Sequence, residues 1–141
     1  MMKRVGYLEK SREQAVDLHG KPLEILELHI NGARLAIRVA ELRGTLAGRI
    51  FARVERLERR WGLRVTGIAG LARLSASGKA LNIELNDSGD FTVSLDMLRA
   101  VLYRRERFAT IAEIPEFPGI PAPGGRPSGI TGQQRLVPGF A

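Results

Sequence analysis

The chain has 141 residues and a formal net charge of +7, because 22 lysine and arginine residues outnumber 15 aspartate and glutamate residues. It contains no cysteine, which excludes disulfides, thiolate metal sites and cysteine nucleophiles. No segment contains the roughly 18 to 20 consecutive apolar residues that a membrane-spanning helix requires. We therefore expect a soluble cytoplasmic protein with no membrane association.

The excess of positive charge predicts a polyanionic partner, such as a nucleic acid, anionic lipid or an acidic protein surface. Of the 22 cations, 18 are arginine. The planar guanidinium group makes paired hydrogen bonds to phosphate and stacks on bases. A GC-rich coding sequence also raises the arginine content without any ligand, so composition leaves both explanations open.

Two stretches of the chain are nearly the same: GKPLEILEL begins at Gly20 and GKALNIEL begins at Gly78. Similar residues continue in the same order after both stretches, at an offset of 56 to 58 residues. This pattern predicts an internal duplication within a domain that covers residues 1–114. The two copies are residues 15–61 and residues 72–114.

Each copy is predicted to open with a strand, at 15–18 and at 68–74, and to continue as an antiparallel hairpin. In the first copy, Asn31 and Gly32 form a strong signal for a tight hairpin turn. The extra residue Leu26 shifts the apolar phase of the first hairpin strand, which predicts a β-bulge at that position. In the second copy apolar residues alternate along both hairpin strands: Leu81, Ile83 and Leu85, then Phe91, Val93 and Leu95.

After each hairpin the apolar period changes from two to about 3.6, which predicts a helix. The first helix is expected to begin near Leu46, and the second to be capped by Ser94 or Asp96. The segments 50–57 and 107–114 also suit strands, because Phe, Val, Ile and Thr favour sheets. The predicted buried stripes are Leu46, Ile50, Val54, Leu57 and Trp61 in the first copy, and Leu98, Val101, Leu102 and Phe108 in the second.

These elements predict an α+β fold in which two tandem β-meander-plus-helix repeats share one core and are related by a pseudo-twofold axis. Residues 115–141 hold six of the seven prolines, which disfavours both helix and sheet. We predict an extended Pro/Gly-rich C-terminal arm that docks on a partner, against the alternative of a solvated, disordered terminus. Its apolar docking residues are Phe117, Ile120, Ile130, Leu136, Val137 and Phe140.

Arginines are clustered in the region of the first predicted helix. Four of them, at positions 49, 53, 56 and 60, are spaced four, three and four residues apart. On a helix they would form one basic stripe that could follow a phosphate backbone. The alternative is a solvated helix face with no ligand. The stripe and its flanks comprise Arg49, Arg53, Arg56, Arg59, Arg60 and Arg64, and the second copy contributes Arg104 and Arg105.

Signals for catalysis are weak. His19 and His29 lack the spacing of metal ligands, and the matching carboxylates Glu27 and Glu84 have no partner base. We predict no catalytic residue, no metal site and no cofactor. The leading hypothesis is a non-enzymatic binding or assembly module that pairs with a second copy or a partner protein through the arm. The alternative is a nucleic-acid-binding protein that contacts phosphates through the arginine stripe, and an enzyme is the third class.

Overall fold

The computed structural model describes residues 3–115, so the six apolar residues predicted to dock the arm lie outside the described residues. Ten strands and two helices form within the described part of the chain. In chain order they are β1 (Lys3–Lys10), β2 (Ala15–Val16), β3 (Pro22–Leu23), β4 (Ile25–Ile30), β5 (Ala33–Arg38), α1 (Val39–Leu46), β6 (Ala52–Arg59), β7 (Leu63–Leu74), β8 (Ala80–Leu85), β9 (Gly89–Ser94), α2 (Leu95–Leu102) and β10 (Phe108–Glu113).

Eight of the strands close into a barrel. They are hydrogen-bonded in the order β7-β6-β5-β4-β1-β10-β9-β8, and β8 pairs back with β7. All eight pairings are antiparallel. The order strand, strand, helix, strand occurs twice along the chain, and we name β4 to β6 the first unit and β8 to β10 the second unit.

The interior of the barrel is filled by apolar side chains. Residues from every barrel strand form one buried cluster, and Leu28, Ile37, Ile83 and Phe91 within it are no more than 1% exposed. An eight-stranded barrel is just wide enough for side chains to fill it. Binding sites in this molecule are therefore to be sought on its outer surface.

Two glycines allow neighbouring strands to approach closely. A Cβ atom on Gly6 of β1 would lie 1.8 Å from the carbonyl oxygen of His29, and one on Gly70 of β7 would lie 2.1 Å from that of Glu84. The two positions correspond, because Gly6 pairs with the last residue of β4 and Gly70 with the last residue of β8. A larger residue at either place would push the paired strand away.

Both helices lie at the same end of the barrel, which we name the helix end. Four antiparallel pairings separate β5 from β9, so these strands run in the same direction, and each leads directly into a helix. Leu42 of α1 and Leu98 of α2 are fully buried in the barrel cluster. Neither helix, among the residues described, has the length and apolar character needed to cross a membrane.

A second core lies on the outer face of the first unit. The short strands β2 and β3 pair with each other, and β2 runs parallel to the start of β7. This segment contributes Ala15 and Leu23, which cover apolar side chains that point away from the barrel interior. The covered residues are Ile25, Ala36, Leu57, Leu63 and Val65.

The predicted hairpins are confirmed. β4 pairs with β5 and β8 pairs with β9, each in continuous register. Asn31 and Gly32 both have positive φ, 49° and 84°, as a two-residue hairpin turn requires.

The predicted bulge at Leu26 is wrong, because β4 pairs without interruption on both sides. The chain instead breaks at Glu24 between β3 and β4, and Ile25 faces the second core.

The first predicted helix is wrong over most of its length. Helix α1 ends at Leu46, and the segment that follows forms strand β6, which was the alternative left open. The apparent helical period has a simple cause: Val54 is buried inside the barrel and Leu57 in the second core, on opposite faces of one strand. Ile50 and Trp61 are 78% and 100% exposed.

The second predicted helix is confirmed as α2. Ser94 occupies the N-cap position, although its side chain makes no capping hydrogen bond. Leu98, Val101 and Leu102 are buried, whereas Phe108 belongs to β10 and is 48% exposed. The fold is thus mostly antiparallel β with two eight-residue helices, and its sheet closes into a barrel, which was not predicted.

Candidate functional site

A groove of about 440 Å³ lies at the helix end of the barrel, and we name it the basic groove. One wall is formed by the end of β1 and the residues that follow it, and the other by the end of α2 and the turn into β10. Five cations and two carboxylates line it. The lining residues are Glu9, Lys10, Ser11, Arg12, Val101, Arg104, Arg105, Glu106 and Arg107.

The turn after α2 positions three of these arginines. The backbone N–H groups of Arg105 and Glu106 both donate to the carbonyl of Ala100, at 2.7 and 3.2 Å, which curls the chain tightly around the helix end. Arg104 has a φ of 61°, in the left-handed region that glycine usually occupies after a helix. An arginine there costs about 1 kcal/mol relative to glycine. The strain is compatible with a functional reason for arginine at this position.

The groove arginines have no close acidic partner. Within the described residues no carboxylate oxygen lies within 4.0 Å of the guanidinium groups of Arg12, Arg104, Arg105 or Arg107. Lys10 is paired with Glu24 at 2.6 Å. The hydrogen bond from Lys10 lowers the pKa of Glu24, with smaller contributions from nearby charges that include Arg104.

Two aromatic rings adjoin the basic groove. Phe108, which follows the arginine turn, is 48% exposed. A smaller depression of about 260 Å³ between Tyr7 and Phe108 shares Glu9 and Arg107 with the groove. The Tyr7 and Phe108 rings meet edge to face, with centroids 6.1 Å apart. Apolar ring surface therefore continues directly from the charged surface.

The predicted arginine stripe does not exist as one surface. Arg53 and Arg56 are three positions apart on strand β6, so their side chains leave opposite faces. Arg49 precedes β6, Arg60 lies in the turn after it, and Arg64 is on β7. Of the eight predicted phosphate contacts, only Arg104 and Arg105 lie in the basic groove.

Three arginines of the predicted stripe and its flanks have acidic neighbours within the protein. Arg53 makes several hydrogen bonds to Glu41, the shortest 2.6 Å, and Arg59 makes two to Glu13, at 2.9 and 2.5 Å. Arg56 donates to the carbonyl of Ile68 at 3.0 Å and lies 3.9 Å from a carboxylate oxygen of Asp87.

The pairing changes the acidity of the carboxylates. Burial alone would raise the pKa of Glu41, but hydrogen bonds from Arg53 and the charge of its guanidinium lower it overall. The hydrogen bond from Arg59 likewise lowers the pKa of the exposed Glu13. These arginines already have anionic ligands within the protein.

Glu27 and Glu84, the carboxylates at corresponding positions of the two units, have different arginine partners. Glu27 is bound by Arg34 at 2.5 Å, and Glu84 lies 3.3 Å from Arg73. Glu27 also lies beside His29 and Glu9, a grouping of possible metal ligands that the sequence did not suggest. The pairing of β1 with β4 creates this grouping, and β1 was not predicted.

The contribution of Lys10 and Arg12 to the groove was missed for the same reason. The only signal was the run Val5-Gly6-Tyr7-Leu8, where strand-forming residues surround one glycine. Arg107 adjoins the predicted Arg104 and Arg105 in the same turn.

Known protein families, curated proteins and solved structures include no match to this chain. The function must therefore be argued from the groove itself.

Proposed function

We propose that this protein is a non-catalytic binding module that holds the sugar-phosphate backbone of a single-stranded nucleic acid in the basic groove. The proposal rests on one observation. Four arginines without a close acidic partner among the described residues converge on one groove, whereas most arginines of the first unit are bound to carboxylates.

The chemistry of guanidinium groups favours phosphate as the ligand. A guanidinium presents a planar fork of N–H donors that matches two phosphate oxygens. Binding of phosphates also releases condensed counterions, which adds to affinity at low salt. Arg104, Arg105 and Arg107 are all exposed, so phosphate could reach them without any rearrangement of the barrel.

The neighbouring rings favour a single strand over a duplex. Bases of a single strand are free to stack on aromatic side chains, a contact worth about 1–3 kcal/mol per base. Phe108 and the edge of Tyr7 lie next to the groove and offer such surfaces. A duplex keeps its bases stacked inside and could use only the charges.

Fluorescence anisotropy with labelled oligonucleotides of about 12 nucleotides tests the proposal. We expect single-stranded DNA or RNA to bind more tightly than a duplex of the same length, and an acidic peptide of similar charge to bind weakly. If no nucleic acid binds the full chain at low salt, the proposal is wrong.

A matched pair of variants locates the site. We expect Arg104→Ala with Arg105→Ala to weaken single-strand binding by about tenfold or more, equivalent to about 1.4 kcal/mol. Arg53→Ala with Arg56→Ala removes the same charge from ion-paired positions and should leave affinity within about twofold, since only long-range charge is lost. Circular dichroism verifies that both variants are folded.

We also infer that the two units arose by duplication. Corresponding elements start 55 or 56 residues apart, from Ile25 to Ala80 and from Ala52 to Phe108. The close approaches at Gly6 and Gly70 extend the correspondence to β1 and β7. A rotation of the barrel by four strands would superimpose the units, as a pseudo-twofold along the barrel axis requires.

The assembly hypothesis is retained as a second candidate because of Trp61. This side chain is 100% exposed at the turn between β6 and β7, and its φ of 60° lies in the left-handed region. Tryptophan is among the residues that most often anchor protein interfaces. We propose that it, together with the C-terminal arm, pairs two copies of the chain. If neither Trp61→Ala nor deletion of residues 116–141 changes the sedimentation coefficient of the protein, this candidate is wrong.

A further inference from the structure

We propose that Glu9, Glu27 and His29 form a binding site for a divalent transition metal, with zinc as the best-fitting ion. The three residues lie on the outer face of the barrel where β1 pairs with β4. Glu9 is directly opposite Glu27 in this pairing, and His29 is two residues further along the same strand. Side chains two residues apart share a face, so all three point to the same side.

The two distances from the histidine nitrogen fit tetrahedral coordination. The Nε2 atom of His29 lies 3.3 Å from Oε2 of Glu9 and 3.5 Å from Oε1 of Glu27. All three ligand atoms are within 4.8 Å of one another. Zinc bonds of about 2.0–2.1 Å to nitrogen and oxygen give ligand-to-ligand distances of about 3.3–3.4 Å in a tetrahedron. The two histidine distances are therefore those of a nearly formed site.

The imidazole nitrogen is the second observation that points to a ligand. Nε2 of His29 is buried from solvent and makes no hydrogen bond within the described part of the chain. It lies near two carboxylates, yet neither oxygen meets the geometry of a hydrogen bond to it. A metal ion between the oxygens would give this nitrogen a partner. A buried polar atom without one is costly.

Neighbouring side chains hold the ligands in place. The His29 ring stacks on Tyr7, with centroids 4.6 Å apart and planes 15° from parallel, which leaves Nε2 free at the ring edge. Arg34 donates to Glu27, whose side chain is only 8% exposed. Such outer contacts orient metal ligands. The Glu9 side chain is 35% exposed, so an ion could reach the site from solvent.

The alternative is an imidazolium ion that bridges the two carboxylates with no metal. The two arrangements differ in what the protein binds. Three protein ligands would leave the fourth zinc position for water, as in open zinc sites. This inference does not rest on nucleic-acid binding, and its test contains no nucleic acid.

Isothermal titration of the full chain, purified without a histidine tag and freed of metal by a chelator, measures the binding of Zn²⁺ alone. We expect one ion per chain. We also expect His29→Ala to weaken zinc binding by about 100-fold or more, since even outer contacts are worth about 10–100-fold. His19→Ala is the matched control, because it removes the only other histidine, which lies in an exposed turn. It should bind zinc as the unchanged protein does.

Two further measurements keep the proposal falsifiable if His29→Ala does not fold. Glu9→Gln changes a partly exposed ligand and should weaken zinc binding by about tenfold. Co²⁺ in the same site should give the intense visible absorption of tetrahedral coordination. The proposal is overturned if zinc binds no more tightly to the unchanged protein than to Glu9→Gln, or if Co²⁺ shows only the weak spectrum of its octahedral aqua ion.

Discussion

The two units share one order of elements but differ in how their arginines are used. In the first unit five of seven arginines are bound to carboxylates, and the second core covers part of the outer face. In the second unit none of the four arginines has a carboxylate within 4.0 Å among the described residues. Net charge alone therefore does not distinguish the two units; the pairing of arginines with carboxylates does. Most arginines of the first unit have acidic partners within the protein, and those of the second unit have none among the described residues.

The largest expected difference between the units is in stability. Arg38 of β5 is bound to Glu55, at 2.7 and 3.2 Å, and the Glu55 side chain is only 6% exposed. Arg38→Met would leave this carboxylate buried without its partner, so we expect a loss of about 3 kcal/mol in the free energy of unfolding. Arg105→Met should change it by less than about 0.5 kcal/mol. Urea denaturation compares the two, and equal losses would contradict the division of roles.

The close approaches at Gly6 on β1 and Gly70 on β7, the strands that pair with β4 of the first unit and β8 of the second, should be equivalent. We expect Gly6→Ala and Gly70→Ala each to lower the free energy of unfolding by about 2–3 kcal/mol, because the added methyl group meets a carbonyl oxygen. Gly67→Ala on β7 is the control, since its Cβ atom would meet only the end of Arg56 at 3.7 Å. Thermal denaturation measures all three. A destabilisation at only one of the two positions would count against the inferred duplication.

A smaller effect is expected in acid. Folding lowers the pKa of Glu41 below its usual 4.5, through Arg53 and against the effect of burial. The unfolded chain therefore binds this proton at higher pH than the folded chain does. The stability that the pair contributes is present above pH 4.5 and is lost as the pH falls through the folded-state pKa. Glu41→Gln should be less stable than the unchanged protein at neutral pH, with a difference that shrinks in acid. If the difference in stability stays constant as the pH falls from neutral into acid, the Glu41–Arg53 pair does not make this contribution.

Local features of the fold could be predicted from the sequence. Alternation in Leu81, Ile83 and Leu85 located β8, and the Asn31-Gly32 pair located a turn whose φ values only a few residues adopt readily. Closure of the barrel could not be predicted, because it depends on the pairings of β1 with β4 and β10. Such pairings join residues far apart in the chain, and β1 has no clear alternation to reveal its register.

The candidate site was only partly predictable for a related reason. Arg104 and Arg105 were selected from local charge, but Lys10 and Arg12 reach the same groove only through the pairing of β1 with β10. The arginines of β6 were predicted to lie on a helix because Val54 and Leu57 face two different cores, which imitates the period of a helix. Their acidic partners, such as Glu13 for Arg59, come from distant segments.

The salt dependence of single-strand binding tests the central claim most directly. Each phosphate contact contributes about 0.7 to the slope of the logarithm of the association constant against the logarithm of salt concentration. If Arg104 and Arg105 each contact one phosphate, their double alanine variant should have a slope about 1.4 shallower than that of the unchanged protein. The double variant of Arg53 and Arg56 should keep the original slope. A shallower slope for the Arg53 and Arg56 variant, or an unchanged slope for the Arg104 and Arg105 variant, would contradict the account.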